Sequence, residues 1–250
     1  MPTCRTKKNP TPEKRRETGL VPLPEEVLLT IEVDGRPLSR LSCSPVDRKE
    51  LVLGWLFSQG LLQTPGDAAA LRIQADRALV RLRPSAAPRL EHYHPVQVVA
   101  CSGGDVQPDL FNNLPKVSRC YDFTLPQAIR LMEQLPGRTP LFKKHGGIHC
   151  SMLVDMREQR ILVSREDIGR SNSVDKVIGW GLVHGADFAR TALFITGRVS
   201  AEMALKVLHA GMPALVSQTT LTGKALEIVR HSGLTLIGHV LKPRPILLNF

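Results

Sequence analysis

Ionisable side chains of both signs crowd the run Arg165-Glu166-Asp167-Ile168-Gly169-Arg170-Ser171-Asn172-Ser173-Val174-Asp175-Lys176. Ile161-Leu162-Val163 before it has the pattern of a buried strand. Val174, Val177, Ile178 and Leu182 after it recur at helical spacing, with Asn172 or Ser173 as the expected cap. The charges are thus expected in a strand-to-helix turn, the place where open α/β sheets hold ligands. Three more loops carry possible chemistry. Cys101-Ser102-Gly103-Gly104 follows the apolar run Val96–Ala100; a thiol before two glycines can move between two partners, and basic neighbours favour its thiolate. Thr196-Gly197-Arg198-Val199-Ser200 reads as an anion cradle, offering backbone N–H groups, a guanidinium and a helix capped by Ser200. Lys143-Lys144-His145-Gly146-Gly147-Ile148-His149-Cys150 places two histidines about a glycine pair. They supply no metal set, because the glycines oppose the helix that would align them. In strand alternation His149 and Cys150 face opposite sides, which sends Cys150 to the core. Arg165, Arg170, Arg198 and Lys176 on neighbouring strand ends would form a phosphate-binding rim. The competing account is a structural ion-pair network with Glu166, Asp167, Asp175 and Glu202.

The elements that must position these loops are legible around them. Residues 1–19 carry Lys7, Lys8, Lys14, Arg15 and Arg16 without apolar period and read as a disordered basic tail. Residues 20–95 read as a small α+β unit. Leu29, Ile31 and Val33 alternate up to an Asp34-Gly35 hairpin turn. Pro45 and Asp47 open a helix with Leu51, Val52, Trp55 and Leu56 on one face, ended by Gly60. A second extended pair lies at 71–73 and 79–82. Residues 96–250 read as the core that carries the site. Thr124 and Gln127 make a capping box for a helix through Met132. Strands are expected at 148–154, 160–164, 192–195, 214–216 and 234–237, with helices between the last three. Alternation of this kind predicts a mostly parallel sheet with helices on both faces.

Composition narrows the partners. The 250 residues carry a formal net charge of +10, which favours anionic partners. Aromatics make up only 4%, too few for a protein that grips single strands by stacking. No apolar run reaches the roughly 18 residues of a membrane span, and the amino terminus has no signal core. The expectation is a cytoplasmic protein with no nucleic-acid or membrane partner. Five cysteines without CxxC spacing suggest neither a disulfide framework nor a zinc ribbon.

Read together, GGIH (146–149), REDIGRSNSVDKVIG (165–179), TGRVSAEM (196–203), Lys206, AGMP (210–213) and LTLIG (234–238) resemble the formate dehydrogenase accessory sulfurtransferase family, FdhD. The amino-terminal EEVLLTIEVDG and CSPVDRKELVLGWLFSQG also fit, so the resemblance covers most of residues 22–250. It implies an α/β fold: a three-layer α/β/α core like that of cytidine deaminases, in a homodimer. It implies a sulfurtransferase. A cysteine, here Cys101, takes sulfur from a cysteine desulfurase as a persulfide and passes it to the molybdenum of a bis(molybdopterin guanine dinucleotide) cofactor bound as substrate. That cofactor serves formate dehydrogenase or a related molybdenum or tungsten enzyme. By the same resemblance the cofactor-binding residues are His149, Arg165, Arg170, Arg198 and the segment His239-Val240-Leu241-Lys242-Pro243-Arg244. The chain departs from the family at Gly104, where a second cysteine is common, and at His145, Ser171 and His239. A zinc deaminase needs HxE and PCxxC; His149 is followed two on by Ser151, and no cysteine follows a proline. A cofactor- or nucleotide-binding chaperone without transfer chemistry stays open as the alternative.

Overall fold

The computed structural model describes residues 22–93, 114–118 and 123–250. The basic tail, the strand expected at Val96–Ala100 and Cys101 with its glycine loop lie outside the described residues.

Two sheets organise the described chain. β1 (Val27–Val33) and β2 (Arg36–Cys43) form the expected hairpin. Its turn residues Asp34 and Gly35 both have positive φ, 49° and 79°, the backbone that matches the twist of the paired strands. β3 (Ala68–Gln74) and β4 (Arg77–Leu82) complete a sheet of order β2-β1-β4-β3, in which β4 runs parallel to β1. Alternate residues Leu29, Ile31, Val33, Ala78, Val80 and Leu82 point to one side and are buried under α1 (Arg48–Ser58). That helix brings Leu51, Val52, Trp55 and Leu56 to the same core, the face its spacing predicts. A short α2 (Ala87–Glu91) follows.

The second sheet comprises β5 (His149–Asp155), β6 (Arg160–Asp167), β7 (Thr191–Ile195), β8 (Ala214–Ser217), β9 (Thr235–Gly238) and β10 (Ile246–Leu248). Its order is β10-β9-β8-β7-β5-β6. The expectation of a mostly parallel sheet is corrected: β7, β8 and β9 are parallel, but β5, β6 and β10 join by antiparallel pairing. β5 and β6 are joined by a turn, too short for a crossover, so they must run antiparallel. β10, not anticipated, brings the chain back beside β9.

Helices cover both faces of this sheet. Leu153, Leu193, Ile195, Leu215 and Leu236 pack on one side with α5 (Arg170–Val183), α6 (Ala201–His209) and α7 (Gly223–Ser232). Met152, Val154, Phe194, Val216 and Ile237 pack on the other with α3 (Leu125–Met132). The result is the three-layer α/β/α arrangement expected, built on a mixed sheet. In α3, Gln127 accepts the Thr124 backbone N–H at 2.7 Å, as the capping box requires. β7 is buried at every residue, because a central strand covered on both faces needs a continuous apolar run.

α1 and α5 join the two sheets through glycines. A Cβ on Gly54 would lie 1.8 Å from the Asp175 carbonyl oxygen, and one on Gly179 would lie 1.9 Å from that of Glu50. The helix backbones therefore touch at these two points.

Candidate functional site

Strand direction gathers the site at one edge of the six-stranded sheet. β6 is antiparallel to β5, and β5 to β7, so β6 points the same way as β7, β8 and β9. The carboxyl ends of those four strands and the amino end of β5, which carries His149, share one edge. The loops there are bonded to one another. The Ser217 hydroxyl donates to the Gly197 carbonyl at 2.8 Å, His239 N–H donates to Thr219 O at 2.8 Å and Val240 N–H to Ser217 O at 3.1 Å. Val199 N–H donates to Thr220 O at 3.0 Å. As expected, Ser200 caps α6 by accepting Met203 N–H.

Most of the charged run proves to be scaffold. β6 extends through Asp167, so Arg165, Glu166 and Asp167 belong to the strand and not to a turn. α5 then begins at Arg170 with Gly169 as its cap, which corrects the expected start at Asn172 or Ser173. Asn172 instead donates its side-chain amide to Asp167 at 2.9 Å and to Ser42 O at 2.7 Å. Asp167 and Lys176, both fully buried, pair at 2.7 Å. Asp167 also accepts Ser44 N–H at 3.0 Å and Gly169 N–H at 2.8 Å, fastening the first hairpin to the core. Lys206 pairs with Asp175 at 2.5 Å and Glu202 at 3.2 Å, and it donates to the Ser171 hydroxyl at 2.6 Å. Glu166 accepts Leu141 and Phe142 N–H groups at 2.9 and 2.8 Å, capping α4 (Pro140–His145). The ion-pair network thus holds for Asp167, Asp175 and Glu202, while Glu166 serves as a helix cap.

Two residues expected to contact the cofactor have other partners in the fold. Arg165 gives its guanidinium to Glu50 at 2.5 and 2.8 Å, with Asp47 at 3.5 Å, so it ties β6 to α1 and is unavailable to the rim. Val240 is fully buried in the core on the α3 face, where its apolar side chain is sheltered from water.

What remains at the edge is a smaller set. Arg170 and His149 converge on Gly197: a Cβ there would lie 3.2 Å from Arg170 Cβ and 3.6 Å from His149 Nδ1. Arg170 Nε is buried and, among the described residues, has no hydrogen-bond partner. Such a donor fits an anionic ligand. Arg198, Lys242, Pro243 and Arg244 are exposed, as is Leu241 at 40%, and His239 is half-buried with φ 51°. A cleft of about 300 Å³ opens at His149, lined also by Phe142, Gly147, Cys150 and Thr196. Ser217 was missed in the sequence, and Thr196 entered only as part of its loop: Thr196 Oγ1 accepts Cys150 N–H at 3.0 Å, and Ser217 fixes Gly197. Their one signal was a polar residue at the end of an apolar strand.

Electrostatics separate the groups further. Burial, reinforced by Glu166, pushes the Cys150 thiol up to about 12, and burial, reinforced by Asp167, pushes Cys43 to about 11. Both stay thiols at neutral pH and cannot act as nucleophiles. Burial, and after it the Arg170 guanidinium, hold the His149 imidazole below its ordinary range against the opposing pull of Asp167. The folded state therefore prefers the neutral ring. Its contribution to stability is complete above the unfolded value, about 6.5, and is lost as pH falls toward the folded midpoint. In an NMR titration the His149 midpoint should lie below about 6.5, and Arg170→Gln should raise it without restoring the ordinary value. A midpoint at or above the ordinary value would mean that the ring is solvated and remote from Arg170.

Comparison with known proteins places these features in context. Residues 24–247 match the model of the FdhD/NarQ family. The sulfur carrier protein FdhD of Halalkalibacterium halodurans is 31% identical over 222 residues, covering 86% of this chain and 82% of its own. That of Geobacillus kaustophilus is 32% identical over 218 residues, covering 85% and 82%. A crystal structure described as that of a formate dehydrogenase accessory protein from Desulfotalea psychrophila has the same fold, with a TM-score of 0.70 and 23% identity over 91% of this chain and 88% of that one.

Proposed function

The chain belongs to the FdhD/NarQ family, and on that premise we propose that it is a sulfur carrier serving formate dehydrogenase or a related molybdenum or tungsten enzyme. In this reading the Cys101 thiolate attacks the terminal sulfur of a desulfurase persulfide. The donor's S–S bond breaks, its cysteine leaves as thiolate, and Cys101 carries the sulfane sulfur. On delivery the new S–S bond breaks and Cys101 leaves as thiolate. The sulfur becomes a sulfide ligand of the molybdenum in the bound bis(molybdopterin guanine dinucleotide), with two electrons from the reduced metal. The cofactor is substrate here. The protein works in the cytoplasm as a homodimer.

The observation that carries the reading is the edge built by loops 196–200, 217–222 and 239–245. It leaves Arg198, Lys242 and Arg244 exposed and Arg170 Nε buried without a hydrogen-bond partner among the described residues. Cationic groups on mutually bonded loops, with the Arg170 side chain at the start of α5 against Gly197, suit the phosphates of a guanine dinucleotide. The pKa values of Cys43 and Cys150 remove two of the five cysteines from competition for the sulfur.

The test uses a cysteine desulfurase, cysteine carrying labelled sulfur, and the full chain. Wild type should take up label, and Cys101→Ala should reduce it to background while binding guanosine diphosphate normally. Arg198→Ala should retain label but bind the nucleotide about tenfold more weakly, the loss of one charge-assisted contact. Wild type without label, yet binding nucleotide, would replace the carrier with a cofactor-binding chaperone.

A further inference from the structure

The four-stranded sheet buries one face only. Strand alternation sends Leu28, Thr30 and Glu32 of β1, Arg40 and Ser42 of β2, Arg77, Leu79 and Arg81 of β4, and Ala70, Arg72 and Gln74 of β3 to the other face. Among the described residues no helix covers them: Leu28 is 47% exposed, and Arg40, Arg72, Arg77 and Arg81 are all exposed. The register fixes their layout. Arg40 and Arg77 both pair with Thr30, so they flank it in one row, about 10 Å apart at two strand spacings. Arg72 pairs with Leu79, which lies between Arg77 and Arg81 on β4. Four guanidinium groups from three strands therefore project from one flat surface. Among the strand residues on this face Glu32 is the one carboxylate, and it pairs with Arg77 at 3.3 Å. Glu26, just before β1, is taken by the Ser42 hydroxyl. Among the described residues Arg40, Arg72 and Arg81 have no carboxylate partner.

We propose that this face is a docking surface for a protein that presents a cluster of carboxylates. Charge complementarity specifies the occupant: the arginines are spaced widely enough to engage separate carboxylates, each by a planar two-pronged contact. Leu28, Leu79 and Ala70 between them supply the apolar floor of a protein interface, where arginine is enriched. A nucleic-acid strand is disfavoured, because the face holds no aromatic ring on which a base could stack. This surface lies on the amino-terminal sheet and makes no use of the loops around Arg170 and Gly197.

The probe is a fluorescent peptide with eight glutamates interspersed with leucines, titrated with the full chain at low salt. The face variant carries Arg40→Gln, Arg72→Gln, Arg77→Gln and Arg81→Gln. A control variant, of equal net charge, carries Arg157→Gln, Arg160→Gln, Arg190→Gln and Arg230→Gln. All eight positions are exposed, so both variants should fold with wild-type melting behaviour. The expected result is at least a tenfold loss of peptide affinity in the face variant, against less than twofold in the control. Equal losses in both variants would reduce the attraction to net charge alone and overturn the proposal. So would the absence of binding by the wild type. A single-stranded or duplex oligonucleotide that binds more tightly than the peptide through the same arginines would make this a nucleic-acid surface instead.

Discussion

Asp167→Asn should destabilise the protein by about 3–5 kcal/mol, the largest loss expected of any near-isosteric substitution in the charged run. The change keeps the shape of the side chain but leaves the Lys176 ammonium, fully buried, facing an amide. Among the described residues, the other acceptor of Lys176 is the Glu166 carbonyl at 3.0 Å. The reverse change, Lys176→Met, should cost less, because Asp167 keeps Ser44 N–H, Gly169 N–H and the Asn172 amide around its carboxylate. The double variant should be milder than the sum of the two, since it buries no lone charge. Urea unfolding of the three variants measures this. If Asp167→Asn falls within 1 kcal/mol of wild type, the pair is not dry, and the bolt between first hairpin and core has been misread.

Gly54→Ala should be at least as damaging, costing more than ~3 kcal/mol or preventing folding. Two effects compete. Alanine in a helix is favoured over glycine by up to ~1 kcal/mol. Against this, the new methyl would lie 1.8 Å from the Asp175 carbonyl oxygen, which is backbone and cannot rotate away. The helices must separate, and separation also strains the Arg165–Glu50 contact across the same junction. Sterics win. Gly179→Ala should behave alike, with its Cβ 1.9 Å from Glu50 O, while Gly137→Ala, whose Cβ meets nothing within 4 Å, should change the melting temperature little. A tolerated Gly54→Ala would show that the helices cross farther apart than this geometry has them.

These two expectations concern how the site is held, and they bear on function indirectly. Asn172, Asp175, Lys176 and Lys206 are buried behind the open edge and Asp167 pairs across the sheet with His149, so together they set where Arg170 enters it. Losing one should unfold or shift the edge before it alters any chemistry there.

Much of the architecture was legible in the residues. Periodicity placed the first hairpin, α1 and the β7-to-β9 alternation, because amphipathic spacing is imposed by burial on each element separately. Gly-Arg before Ser200 marked a real loop and cap, and His149-Cys150 split to opposite faces as alternation demands. Membership of the family was carried by local runs such as REDIGRSNSVDK. What the chain alone left open were the questions of pairing. The same charged run supports a phosphate rim or an internal network, and only the fold decides, by bringing Glu50 to Arg165 and Lys206 to Asp175 from distant parts of the chain. Likewise Val240 reads as part of a basic segment until β9 turns it into the core. Sheet direction was also undetermined, since a strand's pattern records which faces are covered and not the sense of its neighbours. Residue type and spacing determine which chemistry this protein has at hand. Long-range contacts decide which of those side chains remain unspent, because an ion pair needs a partner that one-dimensional order cannot locate.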